Sequence, residues 1–210
     1  MSATVLLQYG CGGHGRVAFD AARSVGITFD LVADDDDAVN DFFGLRVIHP
    51  RRDWSLLPPS FGFLVAIGNN AIRRSIFDEL RQRGGIGTNV VHRSAVISGD
   101  AHLGLGTLVC AGVVVNSGAQ IGMNSILNTC ASVDHDCRLG DHVHICPGVR
   151  LGGNVEVGSG TMIGLGAVVL PGVRVGPECI VGAGAVVRCD LPRRVVAYGV
   201  PARVRRNLNE

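Results

Sequence analysis

From Val91 to Val187 an aliphatic side chain recurs at every sixth residue without a miss: Val91, Ile97, Leu103, Val109, Val115, Ile121, Leu127, Val133, Leu139, Ile145, Leu151, Val157, Ile163, Val169, Val175, Val181 and Val187. Four residues after each tooth the side chain is again small or compact, as at Ala95, Ala101, Thr107, Val113, Ala119, Ser125, Ala131, Cys137 and Val143. Each unit therefore has two inward positions. Glycine often follows the tooth, as at Gly104, Gly122, Gly140, Gly152, Gly158, Gly164, Gly176 and Gly182, which is the signature of hexapeptide β-helix repeats. Each short strand puts its aliphatic residue on the axis, and stacked coils bury what one coil cannot.

Before the comb the pattern changes. Thr4 to Tyr9 reads as a strand, running into Gly10-Cys11-Gly12-Gly13-His14-Gly15 and an amphipathic stretch from Arg16 to Val25. A second strand, Phe29 to Ala33, ends in Asp34-Asp35-Asp36-Asp37; a third, Phe61 to Ile67, ends in Gly68-Asn69-Asn70 before a helix from Ala71 to Arg83. Strands alternating with helices imply a parallel sheet of Rossmann-like α/β build, with ligands expected at the carboxyl ends of the strands. The expected division is a nucleotide-binding unit over residues 1–85 and a β-helix with a C-terminal tail over 86–210.

Length and composition agree with two units: 210 residues, 47% hydrophobic, supply a core for each. No apolar run reaches the roughly 18 residues of a membrane span, and no secretory signal pattern is present, so a cytoplasmic protein is expected. The seven cysteines include no metal-type CxxC pair and read as free thiols, with Cys137 and Cys179 at inward repeat positions. A net charge of +1 argues against bulk binding to nucleic acid. Every basic residue is Arg, which excludes a lysine Schiff base or phosphate-loop lysine. Arg193, Arg194, Arg203, Arg205 and Arg206 cluster near the end, either as a solvated tail or as phosphate contacts.

Candidate chemistry sits at the strand ends and in one stretch of the comb. Gly10, Gly12 and Gly15 have the G-x-G-x-x-G spacing with Asp34 about 20 residues on, the pattern of dinucleotide binding. Yet a glycine turn at a helix N-terminus binds any phosphate, so a nucleotide attached to a substrate fits as well as a cofactor. Asp34 and Asp35 either accept hydrogen bonds from a base or ribose or form a solvated turn; Asn69 and Asn70 either cap a helix or touch ligand. His14, a large polar ring in a glycine turn with no packing role, reads as a ligand contact. In the comb, Asp134-His135-Asp136 replaces the usual glycine corner, and His142 and His144 follow. A histidine beside a carboxylate has the elements of a general base with an orienting partner. If three hexapeptides close one coil of about 18 residues, Gly153 stacks on His135 with Ser117 below, leaving room for a slender ligand. Zinc competes as an explanation, but the histidines lack the H-x4-H spacing of β-helix carbonic anhydrases, and no metal is expected.

The glycine turn with His14, Ala66-Ile67-Gly68-Asn69-Asn70 after the third strand, the hexapeptide comb with Asp134-His135-Asp136, and Tyr198-Gly199-Val200-Pro201-Ala202 together resemble the acetyl-CoA-dependent sugar acyltransferases. The nearest branch is the nucleotide-linked 4-amino-sugar N-acetyltransferases of bacillosamine and perosamine type, with sialic acid O-acetyltransferases as relatives. The resemblance implies a left-handed parallel β-helix, acetyl-CoA as donor co-substrate, a nucleotide-linked amino sugar as acceptor and a homotrimer with sites between adjacent β-helices. It places the catalytic histidine on His135 and its carboxylate partner, usually Glu, on Asp136. It places a second active-site histidine on His144, a substrate-facing asparagine on Asn128, the thioester contact on Gly153, and the nucleotide contacts on His14, Asp34 and Asp35. O-acetylation of a sugar hydroxyl and a non-catalytic nucleotide-binding module are the alternatives.

Overall fold

A computed structural model describes residues 5–208. The N-terminal unit is a six-stranded sheet built from β1 (Leu6–Tyr9), β2 (Leu31–Ala33), β3 (Asp41–Phe42), β4 (Leu45–Ile48), β5 (Phe61–Val65) and β6 (Gly85–Gly87), in the order β3-β4-β2-β1-β5-β6. All pairings are parallel except β3 with β4. Helices α1 (Gly13–Ser24), α2 (Pro50–Asp53) and α3 (Asn70–Gln82) connect them. Side chains alternate along the central strands, so Leu7, Phe61, Phe63 and Val65 pack with Ile76, Phe77 and Leu80 of α3, whereas Leu64 and Val32 pack with Ala18, Ala21 and Ala22 of α1.

The sheet holds more strands than the three expected from sequence. β4 and β6 extend it in parallel, and β3 closes one edge. β6 is Gly-Ile-Gly, with little strand propensity of its own; a Cβ on Gly85 would lie 2.7 Å from the Phe63 ring, so close packing and not propensity selects this sequence. The expected strand start at Thr4 lies outside the described residues.

The comb folds as a left-handed parallel β-helix. Teeth separated by 18 residues pair directly, as in Val109 with Leu127 and Leu127 with Ile145. Three faces result: face one carries Val91, Val109, Leu127, Ile145, Ile163 and Val181, face two begins at Ile97, and face three at Leu103. The third residue after the tooth takes positive φ at most corners, by glycine at Gly112, Gly148 and Gly166 but by Asn124, Cys130, Asp136, His142 and Asn154 elsewhere. Asn and Asp tolerate this left-handed conformation better than most side chains. Cys137 and Cys179 are buried in the core, as their inward register requires. The expected C-terminal tail is instead an antiparallel hairpin, Val195–Gly199 with Ala202–Asn207, that extends face one.

The two units share a core. Ala18, Ala21 and Ala22 of α1 belong to one cluster with Val90, Leu108, Cys110 and Ile126 of the first coils. The N-terminal unit is thereby seated on face one. Leu127 is fully buried on the helix axis, so Leu127→Ala should cost about 2–5 kcal/mol. Urea denaturation reads this as a lower midpoint; a loss under about 1 kcal/mol would mean that the coils collapse into the space.

Candidate functional site

The chemistry-bearing residues fall into two clusters. The first lies at the carboxyl ends of the N-terminal strands, in a cleft of about 440 Å³ lined by Tyr9, Gly12, Gly13, His14, Asp34, Asp35 and Gly68 among others. Gly10 has φ +106°, and a Cβ on Gly15 would lie 2.2 Å from the Gly10 carbonyl oxygen, so these two glycines make the turn from β1 into α1 possible. Gly12 and Gly13 have open space where a side chain would be. α1 starts there with no side-chain cap, which leaves first-turn N–H groups for an anion.

Asp34 is committed to the turn itself: its carboxylate accepts from the Cys11 N–H at 2.7 Å and the Asp36 N–H at 3.0 Å. Asp35 is turned to the cleft wall, where it accepts from the Tyr9 hydroxyl at 2.7 Å. Asn69 caps α3 by accepting from the Ile72 N–H, and Asn70 donates to the Gly160 carbonyl of the β-helix at 2.9 Å.

His14 does pack, against the sequence expectation, because its partner comes from the other unit. Its ring centroid is 5.8 Å from that of His144, on face one. Its Nε2 is buried without a hydrogen-bond partner. Burial, then the charge of Arg73, pushes His14 down to about 4. The same two causes, in the same order, push His144 down to about 4. His144 Nδ1 lies 3.1 Å from the Gly68 carbonyl, which can only accept, so Nδ1 carries the proton. Nε2 then accepts from the Asn128 amide at 3.2 Å. Both ring nitrogens are engaged in the neutral form, so His144 is a poor proton acceptor at neutral pH.

The second cluster is the corner between faces two and three. The His135 Nδ1–H donates to the Asp136 carboxylate at 2.9 Å, which leaves the Nε2 lone pair free. The hydrogen bond to Asp136 raises His135 above the ordinary histidine value; desolvation opposes it, and the charges of Asp134 and Asp136 add to the rise. Asp134 accepts from the Asn116 amide and from the His135 N–H, and these bonds hold its own carboxyl below the usual range. A Cβ built on Gly153 would lie 2.3 Å from His135 Nε2. The stacking of Gly153 on His135 is thus close enough that a side chain here would push the imidazole aside, and the free nitrogen faces that space.

Within one chain the structure brings His14, His144 and Asn128 together near Asp34 and Asp35, and it brings His135, Asp136 and Gly153 together. It does not join the two groups. They occupy successive regions of the same coils, on face one with its following corner and on the corner after face two. A further cavity of about 600 Å³, between the start of α3 and the corner residues His142, Gly160 and Glu178, contains none of these residues.

Sequence reasoning missed Arg73, which is fully buried and donates to the carbonyl oxygens of Asn124 at 3.0 Å, Ile67 at 3.1 Å and His142 at 2.9 Å. It also missed Asn124, whose amide bonds the Arg73 carbonyl and His142 Nδ1. A signal existed: Arg73, Ile76, Phe77 and Leu80 share one helical stripe, so an arginine stands at an apolar position.

Comparison with known proteins adds two family matches: residues 6–80 match the PglD N-terminal domain, and residues 154–189 match the bacterial transferase hexapeptide (six repeats). A variant of perosamine N-acetyltransferase from Caulobacter crescentus, solved with CoA and GDP-perosamine, is 38% identical over 98% of this chain and 99% of that one, with a TM-score of 0.90. The acetyltransferase domain of PglB from Neisseria gonorrhoeae, solved with acetyl coenzyme A, is 37% identical over 97% and 100%, with a TM-score of 0.89. Among curated proteins, GDP-perosamine N-acetyltransferase of Escherichia coli O157:H7 is 32% identical over 107 residues, 51% of this chain and 48% of its own length. The chain spans about half the length of the curated relatives it matches.

The two depressed histidines have a consequence for stability. In the unfolded chain His14 and His144 bind a proton near 6.5, but in the folded chain only near 4. Between those values the unfolded state holds more protons, so folding stability should fall as pH falls from 6.5 towards 4. His135, raised but fully exposed, acts in the opposite sense and is screened by water. Urea denaturation at pH 5 and pH 7 checks the sign, and His144→Gln should flatten the dependence. Equal stability at the two pH values would refute the burial of neutral imidazoles.

Proposed function

The chain belongs to the family of nucleotide-linked amino-sugar N-acetyltransferases of perosamine and bacillosamine type, and from that premise we propose that it transfers the acetyl group of acetyl-CoA to the 4-amino group of a nucleotide-linked sugar. The observation that carries the reading is the His135 corner: an imidazole held by Asp136 through Nδ1, with its free Nε2 beneath a glycine that leaves no side chain in the way.

A deprotonated amine attacks the thioester carbonyl, and His135 Nε2 takes the proton that the new C–N bond makes acidic. The carbonyl pair moves onto oxygen, where the Gly153 N–H, which has no hydrogen-bond partner among the described residues, donates to it. Collapse of the intermediate breaks the C–S bond and releases coenzyme A as thiolate. Asp136 orients the ring at a corner of positive φ, a conformation that a short carboxylate accepts readily. The pantetheine arm runs along the corner past Gly153 and Gly172, the latter with open space above it.

The acceptor lies in the other cluster. Its nucleotide rests against the glycine turn and Asp35, and its sugar reaches His14, His144 and Asn128. One chain does not join this cleft to its own His135, so a second copy is needed to complete the site; in the homotrimer that the family resemblance implies, His135 of the partner subunit meets the sugar held by its neighbour. This accounts for an acceptor cleft without a base and a base without an acceptor cleft in the single chain.

His135→Ala should lower kcat by about 10²- to 10⁴-fold with the Michaelis constant for acetyl-CoA nearly unchanged, since a general base adds rate and little ground-state affinity. Release of free thiol against a panel of nucleotide 4-amino sugars measures it; near-normal turnover removes His135 from the mechanism. Gly153→Val should displace the imidazole and obstruct the donor, so kcat falls and the Michaelis constant for acetyl-CoA rises. Unchanged donor kinetics would place the thioester elsewhere.

A further inference from the structure

α3 carries a cation on its apolar stripe, and among the described residues nothing of opposite charge pairs with it. Among the described residues the hydrogen bonds of Arg73 end on main-chain oxygens: Nε on Asn124, Nη1 on Ile67 and Gly68, Nη2 on His142 and Val143. Among the described residues no carboxylate pairs with it. Its neighbour Arg74, half-exposed, faces Asp78 at 3.8 Å. Carbonyl oxygens satisfy the guanidinium's hydrogen bonds but leave its net charge uncancelled, an unusual state for a fully buried ion.

That charge lies against the acceptor cleft. The Gly68 carbonyl that Arg73 holds is the same one that receives the His144 Nδ1–H. His144 in turn packs on His14 and accepts from Asn128. The other charged groups of this cleft are Asp34, engaged by Cys11 and Asp36, and Asp35, engaged by Tyr9. The Arg73 charge contributes to the depressed values of both imidazoles, so the wall formed by His14, His144 and Asn128 carries no positive group at neutral pH yet feels one directly behind it.

We propose that Arg73 is an electrostatic positioning residue: its uncancelled charge makes the cleft hold the acceptor with its amino group as the free base and not as ammonium. The inference rests on the amino-sugar reading above. An ammonium has no lone pair with which to attack, and a like charge in a water-poor site disfavours the protonated form. The balance is simple. The ammonium sheds one proton to solvent as it binds, the resulting amine forms the C–N bond, and His135 of the partner subunit takes the second proton as the thiolate leaves. Arg73 touches no reacting atom, and it acts through the field behind His144 and through the Gly68 carbonyl.

The test uses the unaltered protein. Calorimetric titration with a nucleotide 4-amino sugar near pH 7, in buffers of different ionisation enthalpy, counts the protons exchanged on binding. Release approaching one proton per site is expected, and none for the analogue with a hydroxyl at the same carbon. Saturable binding without release, or with proton uptake because the diphosphate field dominates, overturns the inference and leaves the acetyltransferase reading intact. Absence of saturable binding overturns that reading instead. Arg73→Gln should reduce the release and move the acid limb of kcat/KM to higher pH, whereas Arg73→Lys should keep both close to the original. A residue with only a structural role would lower kcat at every pH without moving the limb, and if Arg73→Gln does not fold, the titration of the unaltered protein still decides.

Discussion

Parallel coils stack at the strand spacing of roughly 4.8 Å, so each residue of the β-helix sits against the residues 18 before and 18 after it. This register sets which side chains are possible. Inward columns accept only aliphatic or small residues, and the tight residue after the tooth is so often glycine because a Cβ would meet the backbone of the next coil, at 2.4 Å for Gly122 against Gly140. Where the column departs from that rule, chemistry becomes possible. Asp134, His135 and Asp136 project from a corner, and the absence of a side chain at Gly153 one coil further leaves their imidazole accessible.

The same repeat produces two histidines of opposite electrostatic character. His135 stands in solvent with a carboxylate on its Nδ1, which favours the charged form and makes it more basic than usual. His144, nine residues on, is covered by the N-terminal unit; desolvation and the nearby Arg73 favour the neutral form. Burial and partner charge pull in opposite directions, so one scaffold holds both an imidazole more basic than usual and a neutral, directional hydrogen-bonding wall.

Seating the N-terminal unit on face one is what makes the wall. The apolar share of that contact comes from the alanines of α1 against Val90, Leu108, Cys110 and Ile126. The polar share runs through Arg73, Asn124 and His142, which tie α3 to a column of corners and fix the Ile67–Gly68 turn. Orientation of the cleft relative to the β-helix is thus held by directional bonds, and the cleft wall lies against the charge of the residue that makes them. The His135 corner and the glycine-turn cleft lie on different faces of one chain, so the proposed joining of the two depends on a second copy.

The C-terminal half was legible from sequence because its period is strict: one spacing specifies the faces, the corners, the burial of Cys137 and Cys179 and the stacking of Gly153 on His135. The strand, glycine turn and helix of the N-terminal unit were legible too, since Gly10 and Gly15 are required by backbone conformation and close packing within a few residues. What tertiary structure alone decided involves partners distant in the chain. β6 exists because Phe63 packs on it; Asp34 bonds Cys11 and not only its own turn; His14 meets His144 across 130 residues of sequence. Arg73 lay on an apolar stripe that could be read, but a stripe does not say that the burying surface offers carbonyl oxygens and no carboxylate. Local periodicity reports which face of an element is covered, and only the packed structure reports what covers it.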